Sequence, residues 1–248
     1  MGKLKKPSPP ISALIRQSGK ALGALALPLC CLRCYWLRLA VRSRLPFALF
    51  PGIFASIDSY TKRVVRDWYA AHSKLPPWLR ELRALRPCDK VPGHSQFQVI
   101  DSKYQILLTG VPDEILLTRR GCIIVDFKTA RFTGKQDQLL AMYTVQLNAY
   151  ALIAEACGFP RVEALFLIYM EPATDFADSY TDHCSKDGFR MDFRPHILKV
   201  EQDRTMLPPL LAKTRELFEL PSPPPAHPAC EDCQKLQDVT EALTRKAG

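Results

Sequence analysis

The run Ile123-Ile124-Val125-Asp126-Phe127-Lys128 sets a carboxylate and an ammonium into an otherwise apolar segment. Alternate side chains of a strand share a face, so Ile123, Val125 and Phe127 point one way. Asp126 and Lys128 point the other way together. Burying such charges alone is costly, so the fold must bring partners to them. One partner is close in sequence: Gly110-Val111-Pro112-Asp113-Glu114 opens the preceding strand, and a hairpin returns Asp113 against Asp126. Two carboxylates converging near a lysine offer hard oxygen ligands to Mg²⁺ or Mn²⁺, with phosphate and water completing the shell. Such an ion would acidify a bound water, which Lys128 would orient while offsetting charge on the phosphate. Gln146 and Tyr150, at i and i+4, share one face of the next helix and are placed to clamp nucleic acid or the lysine. Glu114 faces away from Asp113 on an alternating strand. The competing reading of these charges is a structural ion-pair network on a solvated sheet face.

Hydrophobic periodicity extends the picture. It predicts one hairpin from strands over 97–100 and 104–108, and another from 115–118 and 122–128. A helix over 135–157 follows, ended by Gly158, then a buried strand over 162–170. A strand over 189–200 and a helix over 202–219 close the core. Ahead of the strands, 11–45 reads as basic helix, and 53–72 as a helix with Ile53, Ile57, Tyr60, Val64 and Trp68 at helical spacing. Pro76-Pro77 begins a short helical piece. This order gives an α/β core with an arm at each end. Residues 1–10 are expected to be a flexible tail, 11–90 a basic helical region, 91–205 the core, and 206–248 a closing helix, a proline-rich tether and a cysteine pair.

Charge divides the chain unevenly. Residues 1–90 carry 17 basic and 4 acidic side chains, whereas the remaining 158 carry 17 and 21. A basic first third suits a polyanion, and basic helices grip phosphates without reading sequence. The apolar stretch over 21–32 falls short of the ~20 residues that span a bilayer, and Arg33, Arg38, Arg42 and Arg44 follow it at once. The chain is therefore expected in the cytoplasm, off the membrane, where its nine cysteines are not read as disulfides. Four of them form two C-x-x-C pairs, Cys31/Cys34 and Cys230/Cys233. The other five default to small buried hydrophobes.

Taken in order and spacing, Gly110-x-x-Asp113, Asp126-x-Lys128-Thr129 and Gln146-x-x-x-Tyr150 resemble the RecB-like branch of the PD-(D/E)XK nuclease superfamily. The resemblance implies a restriction-endonuclease-like αβββαβ core and metal-dependent cleavage of DNA, exonucleolytic in kind. It assigns Asp113, Asp126 and the Phe127 carbonyl to a Mg²⁺ or Mn²⁺ ion and Lys128 to the attacking water. Cys31-Leu32-Arg33-Cys34-Tyr35-Trp36-Leu37 is similar to a cysteine motif of CRISPR-associated exonucleases of this branch. That similarity implies a 4Fe-4S iron–sulfur cluster on Cys31, Cys34, Cys230 and Cys233, tying the two ends together. Zinc suits the same four thiolates, and Cys30 is a further candidate ligand. The pairing of two and two departs from the commoner one N-terminal and three C-terminal cysteines. Many relatives also place a histidine on the helix before the strands; residues 52–71 hold none, leaving Asp58, Lys62 or His94 for its place. No Walker A motif is present, so ATP-driven unwinding would come from a helicase partner. Two other readings stay open: a module of this fold that binds DNA without cutting it, and a zinc-stapled interaction domain.

Overall fold

The computed structural model describes residues 14–41, 52–133, 138–175 and 180–245. The chain begins with β1 (Ile15–Ser18), α1 (Gly19–Gly23), α2 (Leu32–Val41) and the long α3 (Gly52–His72). After a 3-10 segment (Pro77–Leu82) come β2 (Arg86–Pro87), β3 (Gln98–Asp101), β4 (Ile106–Thr109), β5 (Glu114–Leu117) and β6 (Cys122–Lys128). The crossover α4 (Leu140–Ala156) leads to β7 (Val162–Pro172), a small ribbon of β8 (Cys184–Ser185) and β9 (Gly188–Phe189), and β10 (Phe193–Val200). The chain closes with α5 (Leu207–Glu219) and α6 (Glu231–Arg245).

The main sheet runs β10-β7-β6-β5-β2, and β6 lies at its centre because it is apolar on both faces. Cys122 and Ile124 face a cluster with Leu147 and Ile153 of α4. Ile123, Val125 and Phe127 face a second cluster with Val65 of α3 and with Leu79 and Leu82. β5 and β6 pair antiparallel, whereas β6 and β7 pair parallel, as the α4 crossover requires. α4 is apolar around most of its surface and is accordingly buried. It ends where foreseen, with Gly158 at φ +86° and Phe159 N–H reaching back to the Ala154 carbonyl at 3.0 Å. Its expected start at 135 falls outside the described residues, as does the expected tail over 1–10.

A second sheet, β1-β4-β3, corrects the reading of 11–45 as helix throughout. Ile15 and Gln17 are buried while Leu14 and Arg16 are exposed, and the segment pairs parallel with β4 as Ile15↔Ile106. Pro28 then separates α1 from α2. Tyr35 of α2 joins three elements: its hydroxyl accepts from Gln17 Nε2 at 2.6 Å and lies 2.8 Å from Thr214 Oγ1 of α5. The expected single strand over 189–200 is two, β9 and β10, separated at Arg190–Asp192. In α5 the uncertain start resolves simply, since Pro208 and Pro209 fall in the first turn, where an N–H has no helical partner to lose. α6 was not foreseen after the proline-rich tether. Of the five cysteines expected to be buried, Cys88 and Cys122 are, Cys30 and Cys157 are half-buried, and Cys184 is exposed. Among the described residues, no helix is long and apolar enough to cross a membrane.

Candidate active site and cysteine cluster

β5 begins at Glu114, opposite Val125, so the last three residues of β6, Asp126 to Lys128, have no β5 partner, and the site forms in that gap. Asp113 stands just before β5, and its Oδ2 accepts the Phe127 N–H at 2.6 Å in place of a strand carbonyl. The N–H and C=O of one strand residue point to the same side, so the Phe127 carbonyl faces the same gap. Its ring turns to the opposite face, edge-on to Trp78 at 6.3 Å. Asp126, 3% exposed, accepts from Lys128 Nζ through Oδ2 and from Gln146 Nε2 through Oδ1 at 3.1 Å. Gln146 Nε2 also donates to the Tyr150 hydroxyl at 2.7 Å. The Lys128 ammonium lies 4.6 Å from the centroid of the Tyr143 ring, a second attraction that fixes it. All five side chains singled out in the sequence are therefore brought together. Gly110 makes room for one of them: a Cβ there would lie 2.1 Å from the Tyr150 ring.

From the α3 side, Lys62 Nζ reaches Asp113 Oδ1 at 2.7 Å and Asp58 Oδ2 at 2.7 Å. Both residues named for the absent histidine's place are thus at the site. His94 is instead exposed in the turn before β3. Glu114 points to the α3 face, as alternation requires, and is 1% exposed. Arg66 pairs with its Oε1 at 2.8 Å and also donates to the Cys88 and Asp89 carbonyls at 3.4 and 3.3 Å. That set pins α3 against the sheet. Sequence reasoning missed a neighbouring aromatic group. His196 of β10 sits level with Tyr169 of β7 and Lys128 of β6, pairs with Glu171 at 2.9 Å, and stacks on Phe132 at 4.5 Å.

Burial and the facing Asp126 raise Asp113 to about 7, more than Lys62 offsets. Burial works against the charge of Lys128, but Asp126 and Asp113 outweigh it and hold the ammonium above its usual range. A carboxyl with pKa ~4 in the unfolded chain and higher in the fold binds its proton more tightly when folded. The metal-free protein therefore loses stability from this group as pH rises from its unfolded value to about 7. A cation bound by Asp113 must displace that proton, so Mn²⁺ should raise the melting temperature more at about pH 8 than at about pH 6. Scanning fluorimetry at the two pH values measures this, and equal shifts would count against Asp113 as a ligand.

Far along the chain, the cysteine pairs meet. Cys31 immediately precedes α2 and Cys34 lies in its first turn; Cys230 and Cys233 stand the same way at α6. The sulfurs of Cys31 and Cys233 are 3.6 Å apart, those of Cys34 and Cys230 3.5 Å, and those of Cys34 and Cys233 3.4 Å. All four lie within 4.8 Å of one another. Two helix N-termini, with unpaired N–H groups and positive dipole ends, thus face the thiolate charge. His227 N–H donates to Cys31 Sγ at 3.3 Å. Burial opposes ionisation of Cys31, yet the amides of His227 and Cys34 bring it down to about 7. Cys233 is pushed up to about 11, chiefly by burial. Arg33 Nε donates to the Pro224 carbonyl at 3.1 Å and fastens the tether to α2. The four thiolates fit a metal ion.

No curated protein matches the chain. One solved structure, described as the crystal structure of SSO0001, is 11% identical and covers 88% of this chain and 81% of that one, at a TM-score of 0.42. That likeness is too loose to build on. A family model matches residues 32–236, a span that takes in the whole carboxylate–lysine group and all four clustered cysteines but Cys31. The chain belongs to the PD-(D/E)XK nuclease superfamily.

Proposed function

We propose that the protein is a RecB-like deoxyribonuclease, dependent on Mg²⁺ or Mn²⁺, that degrades DNA from an end. The observation that carries this reading is the meeting of Asp113 and Asp126 where β5 gives out beside β6, with Lys128 bonded to Asp126. Asp113, Asp126 and the Phe127 carbonyl would hold a divalent cation, which would supply an acidified water and positive charge toward the phosphate. Gln146 holds one Asp126 oxygen and Lys128 the other, fixing the carboxylate without solvent. Lys128 keeps its proton under the pull of both aspartates and orients the attacking water while offsetting phosphate charge. Water adds to phosphorus as the bond to the leaving sugar oxygen breaks, and that oxygen takes a proton from solvent. The exonucleolytic preference rests on the resemblance of the Gln146/Tyr150 motif to the RecB-like branch. The surplus of basic residues before Lys90 suits the phosphate backbone. In this reading the protein works in the cytoplasm, where cysteines stay reduced and available to a metal.

In the same reading the cysteine cluster holds one zinc ion. Four thiolates around zinc, at bonds of ~2.3 Å, stand about 3.8 Å apart. Three of the separations are 3.4 to 3.6 Å and all four sulfurs lie within 4.8 Å of one another, compact enough for that arrangement. A four-iron core places each thiolate on its own iron, with sulfide between, and needs the sulfurs further apart. Anaerobically purified protein is expected to be colourless, with about one zinc per chain and no acid-labile sulfide. Brown protein with iron and sulfide in equal amounts would overturn the zinc assignment. The same preparation, given end-labelled single- and double-stranded DNA with Mn²⁺, should cut, and chelation of Mn²⁺ should stop it. A folded protein that binds DNA and never cuts would refute the nuclease reading.

A further inference from the structure

Each aspartate of the site already carries its own lysine, and the lysines come from different elements. Lys128 of β6 donates to Asp126, while Lys62 of α3 lies 2.7 Å from Asp113 Oδ1. The other oxygen of Asp113 accepts the Phe127 N–H. Both Asp113 oxygens are therefore engaged by this chain, one of them by a full positive charge. Asp58, one turn earlier on α3, holds Lys62 from its other side at 2.7 Å. The helix itself is anchored one turn further on, by the Arg66–Glu114 pair at 2.8 Å and by the fully buried Val65. The anchored helix and Asp58 together hold Lys62 beside Asp113.

Charge leads to the same place. With all three carboxylates ionised, Asp58, Asp113 and Asp126 against Lys62 and Lys128 leave one negative charge in excess. One divalent cation reverses that excess to a single positive charge. A second would raise it to three positive charges in a pocket whose aspartates are mostly out of water, at a high electrostatic cost. Many phosphodiesterases use two cations to stabilise the attacking and leaving oxygens.

We propose that Lys62 is a fixed cation of this active site, standing where a second metal ion would otherwise bind, so that the site takes a single Mg²⁺ or Mn²⁺. The assignment rests on the nuclease reading above and deepens it. Lys62 then supplies, across Asp113, positive charge toward the scissile phosphate that a two-metal enzyme draws from its second ion.

Mn²⁺ binding to the full-length, zinc-loaded protein, followed by calorimetry and by loss of the free Mn²⁺ paramagnetic signal, tests this without reference to activity. Wild type is expected to bind one Mn²⁺ per chain, and Lys62→Arg, which keeps the charge, also one. Lys62→Met removes the charge at similar length; it should bind Mn²⁺ about tenfold more tightly or take up a second ion, by relief of close repulsion. Two Mn²⁺ in wild type would overturn the inference. So would Lys62→Met with unchanged number and affinity while its circular dichroism shows an intact fold. Asp126→Asn separates this from the underlying reading: wild type that cuts DNA, loses cutting in Asp126→Asn and yet binds two Mn²⁺ defeats the Lys62 assignment alone. Wild type that neither binds Mn²⁺ nor cuts defeats both.

Discussion

Lys128→Ala should lower cleavage at saturating Mn²⁺ by about 10²–10³-fold, the usual loss when one fixed electrostatic group is removed from a reacting centre. The substitution leaves Asp126, only 3% exposed, with Gln146 as its remaining partner at 3.1 Å. An unbalanced buried carboxylate attracts a divalent cation more strongly, so Mn²⁺ affinity should hold or rise while turnover collapses. That divergence is the informative part. A residue that merely supported the sheet would lose metal binding, stability and turnover together. Lys128→Met keeps the aliphatic stem beside Tyr143 and should be as inactive as the alanine variant, which isolates the charge from the packing. DNA binding, proposed to rest on the basic residues before Lys90, should persist in both. Turnover near the wild-type value in either variant, at saturating metal, would remove Lys128 from the chemistry.

How far the sequence alone leads depends on whether a feature is set by nearby residues. Asp126 and Lys128 share a face because a strand repeats every two residues, and Gln146 and Tyr150 share one because a helix returns after four. Asp113 comes back to Asp126 through a hairpin, again a local event. What escaped was set by partners distant in the chain. β1 has only four residues, and its pairing with β4 about ninety residues later, as Ile15↔Ile106, leaves no periodic trace among basic helical neighbours. The stack of Phe132 on His196 needs the register of β6, β7 and β10 to be known at once. Asp58 and Lys62 were named but not separable, since i and i+4 share a helical face, and the fold uses both. α6 was hidden by the prolines before it, although its glutamates, glutamines and leucines favour a helix.

That helix gives the second large effect. Only Cys233 of α6 is buried, while Val239 and Leu243 are 45% and 69% exposed, so little besides the cysteines holds it to the body. α2, by contrast, stays tied to the core through Leu39 and through Tyr35 with its bonds to Gln17 and Thr214. Stripping the zinc proposed for the cysteine cluster with a strong chelator, or substituting Cys233→Ser, should therefore release residues 221–245 while the two sheets remain. A free helix of 15 residues is marginal in water, so α6 should melt as it undocks. Hydrogen exchange should show its amides losing protection by orders of magnitude, with those of β6 and α4 unchanged. Trypsin should then cut at Lys235, which the docked helix shields through backbone order rather than burial. Full protection of α6 after metal loss would mean that other contacts hold it. Loss of protection in β6 as well would make the ion a keystone of the whole fold, because the exchange of a strand buried on both faces reports global opening.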